Sequence, residues 1–237
     1  LRIRSKQTEI GLLFYGTKEE EVINRLKVLA ILALVFLVAC SSGAQDETPA
    51  PDANAPTQVF EQYRTALIEN DGEAALAIVD SGTIAWYDEV LEEALSLPRD
   101  ELSELGFTEK FTILRVRHTY RRYEIEDMTG EELFRAMIDR GWSSRSAVED
   151  ITVGEEHIEG NSAWISFSPE MTTPAMYFVL EDGEWKLALS QSFPIADEQY
   201  AEAREGLEYE EELFLMEMLV SLTEREVDER IFEGPLD

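Results

Sequence analysis

From Thr57 onward the apolar positions recur first at helical spacing and then, from Val148, at every second residue. Phe60, Tyr63 and Leu67 share one face of a helix that opens at Thr57, a candidate N-cap, and ends at Asn70-Asp71-Gly72. Asp71 is placed to cap a second helix, EAALAIV. A third runs from Ala85 to Leu97, with Trp86, Tyr87, Val90, Leu91, Ala94 and Leu95 apolar, and stops at Pro98. Asp100 to Leu105 is a short helix closed by Gly106. Phe107 to Tyr123 fits neither period well and is read as a helix capped by Thr108. Thr129 to Glu132 has the pattern of a capping box, and Leu133, Phe134, Met137 and Ile138 follow it on one face as far as Gly141.

The alternating half begins with Ile151 and Val153, expected in one short strand. His157 to Glu159 leads through Gly160-Asn161, a hairpin pair, into Ala163 to Phe167. Met176 to Leu180 and Trp185 to Leu189 alternate around Asp182-Gly183, which supplies the positive φ of a tight turn. Helices followed by an antiparallel meander predict an α+β fold, with the N-terminal helices packed on the sheet. Beyond it, Ile195 to Asp237 is expected to form a long C-terminal helix. That segment is strongly acidic, with three basic against fifteen acidic residues from Asp197 to Asp237. It also holds an apolar block, Leu213 to Leu222, whose Leu213, Phe214, Met216, Met218, Leu219 and Leu222 are too apolar to be left in water. The block either packs back on the domain or forms a partner surface.

Upstream of Thr57 the pattern is different in kind. Arg25 and Lys27 precede twelve unbroken apolar residues, Val28 to Ala39, which end at Cys40, the only cysteine. Twelve residues are too few to span a bilayer, which takes about 20. A core helix would carry a polar face, and this run has none. A positive flank, an apolar run and a small residue before the cut are the parts of a secretory signal. Leu37-Val38-Ala39-Cys40 further resembles the lipobox of bacterial lipoproteins, which implies cleavage before Cys40 and lipidation of its thiol. Ser41 then resembles the outer-membrane sorting signal of two-membrane cells. The expected organisation is a leader and signal over 1–39, a lipidated cysteine and extended acidic tether over 40–56, an α+β domain over 57–193 and the acidic helix over 194–237. Residues 1–24 form a long, partly acidic leader that reads as an over-extended gene start. The expected location is the bacterial cell envelope, lipid-anchored, at the outer membrane facing the periplasm.

Charge narrows the partners. The chain carries 50 acidic and 20 basic residues for a formal net charge of −30, and only 14 of the basic residues follow Cys40. Such a surface repels nucleic acid. No cysteine remains for a disulfide once Cys40 is lipidated, so the fold must rest on its apolar core. Lys110, Arg115, Arg117, Arg121 and Arg122 gather five cations into thirteen residues. They form either an anion-binding patch or a set of ion pairs with the protein's own acidic segments. His118 and His157, the only histidines, lack metal-ligand spacing, so no metal and no cofactor beyond the lipid is expected.

VFEQYRTALIENDGEAALAIVD followed by FVLEDGEWKLALS resembles the nuclear transport factor 2-like superfamily, which implies a cone: helices packed on a curved antiparallel sheet. The superfamily includes ketosteroid isomerases and polyketide cyclases as well as non-catalytic binding modules. The isomerase pattern puts its first-helix tyrosine on Tyr63 and its base on Tyr87, with Asp88 one residue beyond. Its strand acid falls near Met176, which donates nothing. Tyr63 and Asp88 are therefore the candidate catalytic pair, and a core tyrosine is the plainer reading of Tyr63. Three functions follow: a non-enzymatic module binding an apolar small molecule or an envelope protein, which the residues favour; an isomerase or dehydratase; and an assembly factor acting through Leu213 to Leu222.

Overall fold

A computed structural model of the protein describes residues 55–142, 148–205 and 210–236. The expected leader and signal, Cys40, Ser41 and the expected tether through residue 54 lie outside the described residues. Those described form nine α-helices and one four-stranded antiparallel sheet, a mixed α+β fold whose sheet is not closed. The helices are α1 (Pro56–Glu69), α2 (Gly72–Leu76), α3 (Ser81–Ser96), α4 (Arg99–Glu104), α5 (Phe107–Thr119), α6 (Arg122–Glu126) and α7 (Gly130–Asp139). The strands β1 (Glu156–Glu159), β2 (Ser162–Ile165), β3 (Met176–Glu181) and β4 (Glu184–Leu187) follow, and then α8 (Leu189–Glu205) and α9 (Glu211–Thr223). A 3-10 turn, Glu229–Phe232, comes last.

Local signals decide most boundaries, and several differ from expectation. Pro56 starts α1 because its fixed φ suits the first helical position. Thr57 is thus not the cap; its amide and hydroxyl both donate to Glu156 Oε2, at 2.8 and 2.6 Å. Asp71 does cap α2, accepting the Ala74 amide at 2.9 Å. That helix ends early, because Ile78 to Asp80 turn to the free edge of β4, where Leu187 exchanges backbone hydrogen bonds with Ile78 and Asp80. Asp80 then accepts the Thr83 amide and starts α3 at Ser81, four residues before the expected Ala85. Thr108 does not cap α5 either. Gly106 holds that position, and the Thr108 amide and hydroxyl donate to Asp197 instead. The helix expected through Tyr123 ends at Thr119, with Tyr120 extended.

The sheet runs in the order β1-β2-β3-β4, a meander whose tight turns are those anticipated: Gly160 has φ +61, and Asp182 and Gly183 have φ +52 and +85. Ile151 and Val153 are not in a strand; β1 starts at Glu156. Gly154 and Glu155 still pair with the backbone of Ser166, but the Ser166 hydroxyl takes the Glu155 amide and interrupts the regular ladder. The single long C-terminal helix is corrected to α8, α9 and the 3-10 turn. Helix α8 begins at Leu189 and runs through Pro194, so the boundary expected after Phe193 falls inside it. Glu224, at φ +53, closes α9.

Ala163, Ile165, Met176, Phe178 and Leu187 line the inward face of the sheet, and α1 packs on β2 and β4 through Val59, Phe60, Tyr63 and Leu67. Helix α5 passes through the interior, and every residue from Thr112 to His118 is buried. This explains why its sequence has no clear period: a helix covered on all sides needs no polar face. Its charged side chains are buried with it. Arg117 is fully buried and donates to five backbone carbonyls: Ala94 (2.8 Å), Glu93 (3.0 Å) and Leu97 (2.6 Å) at the end of α3, and Ile231 (3.1 Å) and Phe232 (3.3 Å) in the 3-10 turn. Carbonyls of a last helical turn lack intrahelical partners, and a cation there also suits the helix dipole. Burial pushes the Arg117 guanidinium down to about 10, still well above neutral pH.

Replacing Arg117 with Leu removes this donor from the Ala94, Leu97, Ile231 and Phe232 carbonyls inside the core, while the Glu93 carbonyl keeps the Leu97 amide at 2.9 Å. The expected loss is roughly 3–5 kcal/mol of folding stability, read by denaturant unfolding. Arg117→Lys keeps the charge but offers only three donors, so it falls between the wild type and Arg117→Leu.

Candidate functional site

Of the residues singled out for isomerase-type chemistry, Tyr63 and Tyr87 lie close together in the core, whereas Asp88 is on the surface. Tyr63 is buried on α1, and burial, with Tyr87 beside it, holds its hydroxyl far above the ordinary tyrosine range. Tyr87 is buried as well, and its ring stands edge-on to Trp86 and to Phe134. Asp88 is exposed, and its Oδ1 accepts the Gly130 amide at 2.5 Å, at the start of α7. An anion on the free N–H groups of a helix N-terminus is stabilised there. Gly130 suits this contact, because a Cβ at that position would lie 2.6 Å from the Ile84 carbonyl oxygen. Met176 is buried in β3.

The five clustered cations separate along and beyond α5. Lys110 is buried and donates to the Ser103 carbonyl (2.9 Å) and to Glu211 (2.7 Å). Arg115, also buried, lies 4.3 Å over the Trp142 ring and donates to its carbonyl at 3.1 Å. Burial pushes its guanidinium down to about 10. Arg117 is committed to backbone carbonyls, as above. Only Arg121 and Arg122 are exposed, at the turn after α5, and Arg122 reaches the Leu95 carbonyl at 3.4 Å. The five thus form no single exposed patch: three support the interior and two reach the surface.

The C-terminal apolar block is likewise divided. Phe214, Leu215, Met218 and Leu219 are buried, Met216 is half-buried, and Leu213 and Leu222 are 47% and 52% exposed. Acids beside the block are received by the domain's cations. Arg99 binds Glu212 through two nitrogens, at 2.9 and 2.5 Å, and reaches Glu229 and Glu233; Lys110 binds Glu211. Arg99 holds the Glu212 carboxyl below the usual range.

Where the chain leaves α5 and α9 returns, two adjoining depressions share Arg121 and Leu236. One, of about 100 Å³, is lined by His118, Tyr120 and Arg225 among others; the second, of about 350 Å³, by Arg122, Arg230 and Pro235. His118 is buried, and its Nε2 lies 3.1 Å from Thr223 Oγ1. The Thr223 hydroxyl donates its only proton to the Leu219 carbonyl at 2.7 Å, so Nε2 must be the donor. Burial first, and Arg225 second, lower the affinity of His118 for a proton. Sequence reading located Arg121 and Arg122 but missed His118, Arg225 and Arg230 as their neighbours. The available signal was that two of the three basic residues in the acidic tail, Arg225 and Arg230, stand five apart after the apolar block.

A contrasting cluster lies between α3, α5 and α8. Burial, with Glu109 and Glu89 nearby, raises the Glu93 carboxyl, and burial with Glu89 and Asp197 raises that of Glu109. Among the described residues, no group of three or more His, Cys, Asp or Glu side chains is placed to hold a metal ion, and no helix is long and apolar enough to cross a membrane. Comparison with protein-family models, with curated proteins and with solved structures gives no match for the chain.

The crowded carboxylates set a pH dependence. A carboxyl raised on folding binds protons more tightly in the folded state, so stability falls as pH rises through the glutamate range and returns on acidification. Glu109→Gln removes one charge from the cluster. It is expected to raise Tm at pH 7 by calorimetry, by an amount that shrinks in high salt and vanishes below about pH 4.

Proposed function

We propose that this is a lipid-anchored protein of the bacterial envelope whose domain is a binding module rather than an enzyme. The observation that carries the reading is the sequence Arg25 to Ser42: a cationic flank, twelve apolar residues and Leu37-Val38-Ala39-Cys40. The residues that follow, Ser41 to Asn54, are rich in Pro, Ala and acids and have no large apolar side chain, so they serve as a tether between the lipid and the domain, which begins at α1. In a two-membrane cell, Ser41 assigns the anchor to the outer membrane, facing the periplasm.

The binding half of the proposal has separate support. Helices on one face of an antiparallel meander are compatible with the cone-like family resemblance, and a fold by itself carries no chemistry. Tyr63 and Tyr87 are core aromatics, and Asp88 is engaged at a helix N-terminus. The surface depressions lie elsewhere, at the end of α5, lined by groups suited to recognition. The exposed Leu213 and Leu222 favour a smaller role for α9 in contacting a protein neighbour.

The anchor is tested at Cys40. Intact mass spectrometry of the protein from its own membranes is expected to find an N-terminus at Cys40 carrying a diacylglyceryl group. Cys40→Ser should remain an unprocessed, unlipidated precursor. A mature N-terminus at any other residue, or an unmodified Cys40 thiol, would overturn the proposal.

A further inference from the structure

We propose that the arginine-lined groove between the end of α5 and the C-terminal segment binds a compact phosphate-bearing ligand. The proposal deepens the binding-module reading and rests on it, while standing independent of the lipid anchor.

Three observations lead here. The first is concentration of charge. The two joined depressions are lined by five of the fourteen cations that follow Cys40, against three carboxylates, Glu226, Asp228 and Glu233. A net positive hollow in a protein of charge −30 is a local inversion of the field, and concave surfaces focus such fields on a ligand of opposite sign. The second is the kind of cation. All five are arginines, with no lysine among them, and a guanidinium offers parallel N–H donors that match two oxygens of one phosphate.

The third is the state of Arg225. It is exposed and makes no ion pair among the described residues, unlike Arg230, which is held by Asp228 at 2.5 Å. Arg225 also disfavours protonation of the buried His118, so its charge lies within electrostatic reach of the imidazole. Size follows from the walls. Arg117, at the back of the smaller hollow, is committed to backbone carbonyls and gives a fixed positive floor. The hollows, of about 100 and 350 Å³ and sharing Leu236 as a wall, suit a small ligand. A phosphate could arrive on a free small molecule or on a phospholipid headgroup; the chemistry of recognition is the same.

The two histidines make the test direct. His118 sits in the groove wall, whereas His157 is exposed on β1, stacked on Trp164 at 5.3 Å, and serves as the internal control. Full-length protein purified from its own cells, with isotope-labelled histidine, is titrated with inorganic pyrophosphate and, separately, with phosphatidylglycerol vesicles, following both imidazoles by NMR. An anion beside Arg225 offsets its field, so the His118 titration should move upward saturably while the His157 ring signals do not respond to the ligand. Arg225→Gln, at an exposed position, should leave Tm unchanged and weaken pyrophosphate binding roughly tenfold, the size of one lost charged hydrogen bond. A response to pyrophosphate points to a free phosphate compound, and a response to vesicles alone points to a headgroup; either supports the site. No saturable movement of His118 with either probe, or an undiminished response in Arg225→Gln, overturns it. Failure of the Cys40 test would leave this result untouched, so the two readings fall separately.

Discussion

A buried guanidinium joins the end of α3 to the C-terminal 3-10 turn, and much of the fold depends on that connection. Arg117 gives donors to carbonyls that the last turn of α3 cannot satisfy by itself, and to two more that a 3-10 turn of four residues would otherwise bury unpaired. Unpaired buried carbonyls are expensive, typically 1–3 kcal/mol each. The guanidinium is desolvated too, and it is retained as a cation because five oxygens replace its water. One side chain in the interior thereby links residues more than a hundred positions apart.

The same logic governs the rest of the charge. With far more acids than bases, each cation in the interior or at a seam has a wide choice of partners. Lys110 and Arg99 receive Glu211 and Glu212 at the start of α9, which helps bring the apolar side of that helix, Phe214, Leu215, Met218 and Leu219, against the domain. Carboxylates with no such partner repel one another, as around Glu93 and Glu109, where burial adds to the penalty. At the far end of α5, Arg121, Arg122, Arg225 and Arg230 come together around the buried Arg117, and the proposed ligand groove lies there.

Family resemblance pointed to Tyr63 and Asp88 as a pair, but their neighbours assign them different tasks. Tyr63 faces the apolar core and Asp88 faces an amide at the N-terminus of α7. One residue of offset on a helix turns a side chain by about 100°, enough to move it from interior to surface.

Local order was legible from sequence alone wherever the cause lies within a few residues. The Thr129 capping box, the Asp71 cap, the glycine turns at Gly160 and Gly183, and the helices-then-meander order are of this kind. The proposed signal ending at Cys40 and the proposed tether after it rest on sequence only. Tertiary structure decided what depends on covering. Helix α5 lost its period because neighbours bury it on every side, and its cations became internal donors rather than a patch. The acidic tail, expected as one helix, breaks at Glu224 and folds back so that Arg225 and Arg230 meet Arg121 and Arg122. Period and caps are properties of neighbours along the chain, whereas burial and the pairing of charges depend on which distant segments pack together, and no local pattern encodes that choice.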